Sequence, residues 1–583
     1  MKEGVSMSLI STTEEYLTSV IKGLGYDIES VKLEKSKIPE FGQYQINIAM
    51  TLTKQKGENP RAIAEKIVSS LDSRFINVNI QGPGFINLTF SDNILMEYTN
   101  SCLYDFNEYL DKPKKSKKVI LDYGGANVAK TLHVGHLRCN IGESVRRLLN
   151  LFGDETISDV HWGDWGTPLG LVIREIQERY PSLPYFDRNF TGEYPKESPV
   201  TNDELGEIYP EASLRKKEDE KYANEAKELT ERLQKRETGI YDLWKRIVDV
   251  SETDCKKVYD FLNCHFDLSY GESDADLYVD KVIDFLNEKG VTEFSNGALI
   301  MNIKNENDNK EMPPLMLKKS DGAVIYDTTE LATIYQRMED YNPDEIWYFT
   351  DERQSLHFEQ TFRGAYMSGL VPKTCNLRFF GFGTINGKDG KPFKTRDGGV
   401  MSLKSLIKMV YEAIEPKIKE NIIGAERKEV ASKLTIATLK YSDLLPYRKT
   451  DYIFDVEKFT SFEGKTGIYA VYTTTRLNSL LTKLDTKDVK INDLTNEDVK
   501  NIAVKLTELP KALTSSYKDV SLNYICEFIY DLSSLYNKFY TNNNISQCEN
   551  SKDKETFIAI SKLTYNVLSR LLNVLGIDLV ERM

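Results

Sequence analysis

DYGGANVAKTLHVGHLR, residues 122–138, decides how the rest of the chain is read. It follows the apolar run Val119-Ile120-Leu121, which has the uninterrupted, branched character of a buried strand. After it, Leu137, Ile141, Val145, Leu148 and Phe152 recur at helical spacing, with Arg138, Arg146 and Arg147 elsewhere on the wheel. The stretch is therefore a strand-to-helix turn. The first turn of a helix has unbonded N–H groups and the positive end of the dipole, and both favour phosphate. Gly135 lacks a Cβ, so a flat base can lie against the backbone. His133 and His136 are three apart and can reach one ligand together, with Lys130 three residues upstream. Two of the chain's five histidines fall in this window. The pair also fits a polar surface turn or a fragment of a metal site; zinc would need a third ligand, and no HExxH occurs.

A chain of 583 residues has room for about three or four domains. Its 40% hydrophobic and 28% charged residues are those of an ordinary folded protein. No apolar run is long enough to cross a bilayer, and the N-terminus turns acidic too early for a secretory signal. The seven cysteines are scattered without a CxxC pair, so reduced thiols, no structural metal and a cytoplasmic location are expected. A net charge of −13 argues mildly against nucleic acid, but a local basic face suffices for that partner. One candidate face runs from Lys404 to Lys449; its interleaved glutamates also fit a plain solvated helix.

Residues 1–115 read as a small α+β unit. Asn59 and Pro60 open one of its helices, and the strands FINVNI and FINLTF flank a Gly-Pro-Gly turn. From Lys118 to about Lys404 strands alternate with helices, which predicts a parallel α/β sheet. Its strands include ALIMNI (298–303), AVIYD (323–327), EIWYFT (345–350) and LRFFGFG (377–383). A polar, Lys/Glu-rich stretch from Arg188 to about Asp249 reads as an inserted helical hairpin. Beyond Leu403 the pattern is almost all helix.

Three further constellations carry chemistry. The loop GTINGKDGKPFKTRDGGVMSL (383–403) sets Lys388, Lys391, Lys394 and Arg396 among glycines at the end of a strand, placed to fold over phosphates. A lysine-solubilised hairpin has the same composition. HWGDWGTPLG (161–170) offers Gly163 and Asp164 beside a ligand, or simply a Trp-filled turn. Tyr326 and Glu330 lie four apart on a helix, and a phenol with a carboxylate suits a planar cation such as guanidinium. Glu330 also suits the helix dipole. Gln354 follows the EIWYFT strand and can hold a ligand's polar end.

Together these motifs resemble the arginyl-tRNA synthetases, members of the class I aminoacyl-tRNA synthetases, over nearly the whole chain. HVGH is similar to the class I HIGH signature, and GKDGKPFKTRDGG to the family's divergent KMSKS loop. GQYQINIAM, GPGFINL, GDWGT, TDYIFD, SFEGKTGIYAVYTTTRLNSLL and LGIDLVERM also match. The resemblance implies a multidomain α/β fold with a class I Rossmann-type parallel-sheet catalytic domain. Its implied boundaries are an N-terminal α+β domain at the tRNA elbow (1–115), the catalytic domain (116–403, with a helical insertion around 188–295), a helical connective region (404–450) and an all-helical anticodon-binding domain (451–583).

The implied reaction joins L-arginine and ATP to arginyl-adenylate, then passes the arginyl group to the 2′-hydroxyl of the terminal adenosine of tRNA(Arg), with Mg²⁺ accompanying ATP and pyrophosphate. The resemblance assigns Lys130, His133, His136, Lys391, Lys394 and Arg396 to catalysis, and His133, Gly135, His136, Gly163, Asp164 and Phe393 to ATP. It assigns Asp122, Asn127, Tyr326, Glu330 and Gln354 to arginine, and Asn87, Tyr469, Tyr472 and Arg476 to tRNA. Tyr469, Tyr472 and Arg476 share one helical face, which fits base stacking and helix core equally. Thr395 stands where the second KMSKS lysine belongs, and Lys130 matches the lysine that compensates in this family. Met401-Ser402-Leu403-Lys404 imitates KMSKS but falls after the family's glycines. Glu330 replaces the usual Asp, Gly124-Gly125-Ala126 a more usual Ser-Ser/Ala-Pro, and Pro168 a common Gln. A monomer without membrane attachment is expected. The rivals are a class I-like nucleotidyltransferase on a small molecule, opposed by the long helical C-terminus, and an inactive RNA-binding paralogue, opposed by intact Lys130, His133, His136 and Lys391.

Overall fold

The computed structural model describes residues 7–309, 311–391, 393 and 401–583. The chain forms two compact units, one of residues 116–416 with 442–459, the other of residues 1–115, 417–441 and 460–583.

The first unit is built on a four-stranded parallel sheet in the spatial order Asn376–Phe379, Glu345–Tyr348, Lys118–Asp122, Glu155–Asp159. Val119, Ile120 and Leu121 are fully buried, as the apolar run predicts for a central strand covered on both faces. The chain leaves Lys118–Asp122 toward Glu155–Asp159 on one side and later returns to Glu345–Tyr348 on the other. That reversal opens a crevice at the carboxyl ends of the strands, where α/β sheets bind ligands. Ile120, Ile346 and Leu377 pack on Val279 and Val282 of helix Glu272–Glu288, Leu331 and Ile334 of helix Tyr326–Tyr341, and Phe358 of helix Ser355–Ser368.

Three details differ from the sequence reading. ALIMNI forms its strand in a separate antiparallel sheet of Thr292–Ser295, Ala298–Met301 and Leu315–Lys318. AVIYD is not a strand: Val324 makes a lone bridge to Lys318, and the helix starts at Tyr326. Thr328 anchors that first turn by donating its hydroxyl to the Leu317 carbonyl at 2.6 Å. The polar insertion is three helices, Asn202–Glu218, Glu220–Gln234 and Thr238–Phe261, not a hairpin. The break between the first two comes at Asp219, an extended residue whose carboxylate accepts the Tyr222 N–H at 3.0 Å.

In the second unit, the N-terminal residues form an antiparallel sheet in the order Glu34–Lys35, Tyr44–Ile46, Phe85–Phe90, Phe75–Gln81. Asn59 caps helix Pro60–Ser69 as predicted, accepting the Arg61 N–H at 2.8 Å. The C-terminal helices Gly467–Leu481, Glu497–Leu506, Leu509–Asp519, Asn523–Asn542 and Ser551–Val574 belong to the same unit. The Tyr44 and Thr507 hydroxyls meet at 2.6 Å, and Asn100 exchanges hydrogen bonds with the Ile491 backbone. No helix of the described residues is long and apolar enough to cross a membrane.

Candidate active site

The switch-point crevice holds a cavity of about 640 Å³. Asp122, Asn127, Lys130, His133 and His136 line it from the strand-to-helix turn. Gly163, Tyr326, Glu330 and Gln354 line it from the following elements. Nine of the residues proposed from sequence for ATP, arginine or catalysis are thus brought together.

The two imidazoles are locked by backbone donors. His133 N–H donates to His136 Nδ1 at 3.0 Å, and Gly135 N–H donates to His133 Nδ1 at 3.1 Å. His133 Nδ1 is therefore an acceptor and that ring carries its proton on Nε2, whereas His136 Nδ1 lies between the His133 N–H and the His133 carbonyl oxygen at 3.2 Å. Burial lowers the pKa of His133, with Lys130 and Arg353 adding to the effect. Burial, then His133, lowers His136 to about 3. Both rings are thus held toward the neutral form, so the turn presents imidazoles rather than two cations. The turn Val134–Arg138 is 3₁₀, and the α-helix begins only at Cys139. A Cβ on Gly135 would lie 2.8 Å from the His133 ring. Gly135→Ala should therefore displace that ring and slow the adenylate formation that the resemblance implies by up to about a hundredfold, the cost of misplacement by about 1 Å. Thermal unfolding at the wild-type temperature together with the slow rate in pyrophosphate exchange is the expected pair of readouts; an unchanged rate would refute it.

The chain after the basic loop is stitched to this turn. Val134 N–H donates to the Met401 carbonyl at 3.0 Å, and Leu403 N–H to the Leu132 carbonyl at 2.8 Å. Lys391 is exposed, its N–H donating to Asp389 at 3.1 Å, and Phe393 lies 6.3 Å from the Phe454 ring; neither lines the cavity. Lys394, Thr395 and Arg396 lie outside the described residues. In the KMSKS-like stretch, Ser402 caps helix Leu403–Ile414 and the Lys404 ammonium pairs with Asp254 at 2.7 Å.

The other part of the cavity is acidic. Glu330 is 5% exposed, and its Oε1 has no hydrogen-bond partner among the described residues. Burial, then Asp122, raises its pKa. Tyr326 opens the same helix, its ring 4.6 Å from His357, which meets Asp327 at 2.7 Å. Beneath them the Arg337 guanidinium donates to Asp122 and Asp159, both at 2.6 Å. Burial opposes charge on His161, but Asp159 and Asp122 outweigh it and raise its pKa to about 9. Asp122, Asp159 and His161 have metal-ligand spacing, yet Arg337 already bridges the two carboxylates.

Glu272 was missed by the sequence reading. It lines the cavity from the first turn of its helix, and burial raises its pKa to about 7. Only its place after Gly271 hinted at a helix start. Asp164, expected at ATP, does not line the cavity. It is buried, accepts the Ser273 N–H at 2.9 Å and the Ser273 hydroxyl at 2.5 Å, and so caps the helix that carries Glu272. Gly163 is required for space, because a Cβ there would collide with the Asn127 amide oxygen.

In the second unit, Tyr469, Tyr472 and Arg476 are half-buried walls of a pocket of about 470 Å³, shared with Lys417, Lys419 and Phe462. The Arg476 guanidinium donates to the Tyr472 hydroxyl at 2.6 Å and lies 5.0 Å over the Tyr540 ring. Asn87, expected at tRNA, is buried at 3% exposure and donates to Asn79 at 3.3 Å. Asn79, with Phe41 and Gln43, lines a neighbouring cavity of about 550 Å³ that Asn87 does not reach.

Residues 99–456 match the family model "tRNA synthetases class I (R), catalytic domain". Residues 470–583 match "DALR anticodon binding domain", and residues 11–90 "Arginyl tRNA synthetase N terminal domain". The sheet, its crevice and the imidazole turn are therefore a class I aminoacyl-tRNA synthetase catalytic domain. The chain is 42% identical over 584 residues to an arginine–tRNA ligase of Alkaliphilus oremlandii (strain OhILAs), covering 99% of this chain and 100% of that protein. It is 39% identical over 589 residues to one from Francisella tularensis subsp. novicida (strain U112), with the same coverage. Its fold is shared with the arginyl-tRNA synthetase of Plasmodium falciparum (TM-score 0.83, 24% identity, 100% of both chains) and that of Thermus thermophilus (TM-score 0.77, 18% identity, 99% of this chain and 100% of that one). The chain belongs to the arginyl-tRNA synthetase family.

Proposed function

We infer that this chain activates L-arginine with ATP and ligates it to tRNA(Arg). The observation that carries the reading is the buried Glu330 oxygen left without a partner, in a cavity that also presents two imidazoles. Asp122, Glu272 and Glu330 supply carboxyls there, and Asp159 is joined to Asp122 through Arg337, which with His161 is an internal cation. An incoming guanidinium favours the ionised forms of Glu272 and Glu330, whose pKa values burial raises in the free protein, with Tyr326 and Glu330 as its direct readers. Asn127 and Gln354 take the amino and carboxylate ends.

In the first step the arginine carboxylate oxygen attacks the α-phosphorus of ATP, and the bond to pyrophosphate breaks. His133 and His136 donate Nε2–H to the phosphates as charge moves onto the leaving oxygens. Lys130 adds a full positive charge beside them, and Lys391, Lys394 and Arg396 supply further charge to the phosphates, with Phe393 at the nucleotide. Gly135 and Gly163 give the nucleotide room, and Asp164 acts from behind by fixing Glu272. In the second step the 2′-hydroxyl of the terminal adenosine attacks the arginyl carbonyl and AMP leaves. Catalysis here is alignment and charge stabilisation, with no covalent enzyme intermediate.

The cavity's carboxyls gather with His161 and Arg337, while the nucleotide end presents Lys130 and two imidazoles whose Nδ1 atoms are engaged by the backbone of their own turn. That donor set does not make a protein seat for Mg²⁺, so the ion enters with ATP as part of the substrate. Residues 1–115 take the tRNA elbow through the surface that Asn87 and Asn79 support. Residues 404–450 contact the stem, and 451–583 bind the anticodon with Tyr469, Tyr472 and Arg476. The protein acts as a cytoplasmic monomer. Arginine-dependent ATP–pyrophosphate exchange, run with and without tRNA(Arg), tests the assignment; absence of exchange in both would overturn it.

A pH effect follows from Glu272. A carboxyl raised to about 7 binds protons in the free folded protein that the unfolded chain has already released. It therefore lowers the stability of the free protein as pH rises from the ordinary carboxyl range through 7, and bound arginine removes that penalty. Arginine binding near neutral pH should release protons, and the KM for arginine should rise on acidification below about pH 7. Titration calorimetry in two buffers of different ionisation heat reads the release; identical heats after buffer correction to zero protons would contradict it.

A further inference from the structure

The inserted helices reach the rim of the cavity along Ala129–Thr131. Ala129 sits at φ +61°, in the left-handed region that L-residues with a Cβ disfavour. Its N–H donates to the hydroxyl of Ser251, a buried residue of helix Thr238–Phe261, at 3.2 Å. Helix Asn202–Glu218 lies so close on the other side that a Cβ on Gly206 would meet Thr131 Cγ2 at 3.0 Å. One helical turn from Gly206, the ring of Tyr209 faces Lys130, with Nζ 4.3 Å from its centroid. Among the described residues no carboxylate is paired with Lys130.

We propose that Tyr209 is a positioning residue for Lys130, its ring face holding the ammonium at the nucleotide end of the cavity. This rests on the reading of Lys130 as the compensating charge for adenylate formation. A free lysine side chain samples many rotamers, and fixing it with a carboxylate would cancel the charge that the phosphates require. An aromatic face attracts the cation within about 6 Å of its centroid yet leaves its full charge and its N–H donors for a ligand. The strained backbone at Ala129, held by Ser251, aims the residue, and the Tyr209 ring fixes its head. The insertion thereby contributes to activation without touching substrate.

The test is arginine-dependent pyrophosphate exchange on the full chain with tRNA(Arg). Tyr209→Leu should lower kcat about three- to tenfold with the KM for arginine unchanged, whereas Tyr209→Phe, which keeps the ring face, should stay within about twofold of wild type. In a Lys130→Ala background Tyr209→Leu should have no further effect. A wild-type rate for Tyr209→Leu, a loss in Tyr209→Phe equal to that in Tyr209→Leu, or effects that multiply in the double variant would each overturn the proposal. Wild-type activity of Lys130→Ala alone would instead remove the reading of Lys130, and the proposal with it.

Discussion

Glu330→Gln should raise the KM for arginine about a hundredfold or more while leaving the KM for ATP within about twofold, because one charged, buried hydrogen-bonding partner is lost at the amino-acid end only. The side chain is 5% exposed and its Oε1 has no partner among the described residues, an unsatisfied acceptor that the proposed guanidinium site would fill. Glutamine keeps the shape but removes the charge and turns an acceptor into a donor facing the guanidinium N–H groups. Lysine cannot satisfy the same geometry, since an ammonium lacks the planar fork and leaves carboxylate oxygens unpaired. Glu330→Asp, the residue usual in the family, should lose less, about tenfold or under, because charge is kept and only reach is shortened. Steady-state exchange kinetics in arginine and in ATP separate these effects. A Glu330→Gln variant with the wild-type KM for arginine would remove this carboxylate from the guanidinium site.

The parts of this site legible in the sequence are those whose signal is local. Val119–Leu121 is apolar without interruption because the strand is covered on both faces, and His133, Gly135 and His136 fall within four residues because one tight turn holds them. Tyr326 and Glu330 line one cavity because four residues on a helix make one face. What stayed hidden depends on partners far along the chain. Arg337 reaches Asp122 across 215 residues and Asp159 across 178, so nothing near Asp122 announces that one oxygen is already taken. Asp164 looks like a ligand beside glycines until Ser273, 109 residues away, turns it into a helix cap. Ala323–Asp327 has the branched and aromatic composition of a strand, but the Leu317 carbonyl captures Thr328 and starts a helix instead. The union of Tyr44 with Thr507 in one compact unit is equally invisible to any window of sequence.

The largest stability effect is expected at Asp443→Ala, about 3–5 kcal/mol, the range for removing one partner of a buried ion pair. Arg138 stands two residues after His136 and is 1% exposed. Its guanidinium donates to Asp443 Oδ1 at 3.0 Å and to the Arg448 carbonyl at 2.6 Å, and the Tyr452 hydroxyl donates to the same Asp443 oxygen at 3.0 Å. Phe382 and Tyr452 cover the group with ring centroids 5.5 Å from the guanidinium carbon. Removing the carboxylate leaves a permanent charge in this enclosure, because arginine does not shed its proton. Replacing both partners, as in Arg138→Met with Asp443→Leu, removes the charge together with its counter-charge and should cost much less than Asp443→Ala alone. The non-additivity is the signature, read by denaturant unfolding of the catalytic unit followed through its own tryptophans, Trp162, Trp165, Trp244 and Trp347. Because Arg138 ends the turn that carries both imidazoles, Asp443→Ala should also slow adenylate formation at temperatures where the protein is still folded. An Asp443→Ala protein that unfolds at the wild-type denaturant concentration would mean that solvent or another group compensates Arg138, and that the turn is held by its Met401 and Leu132 backbone bonds instead.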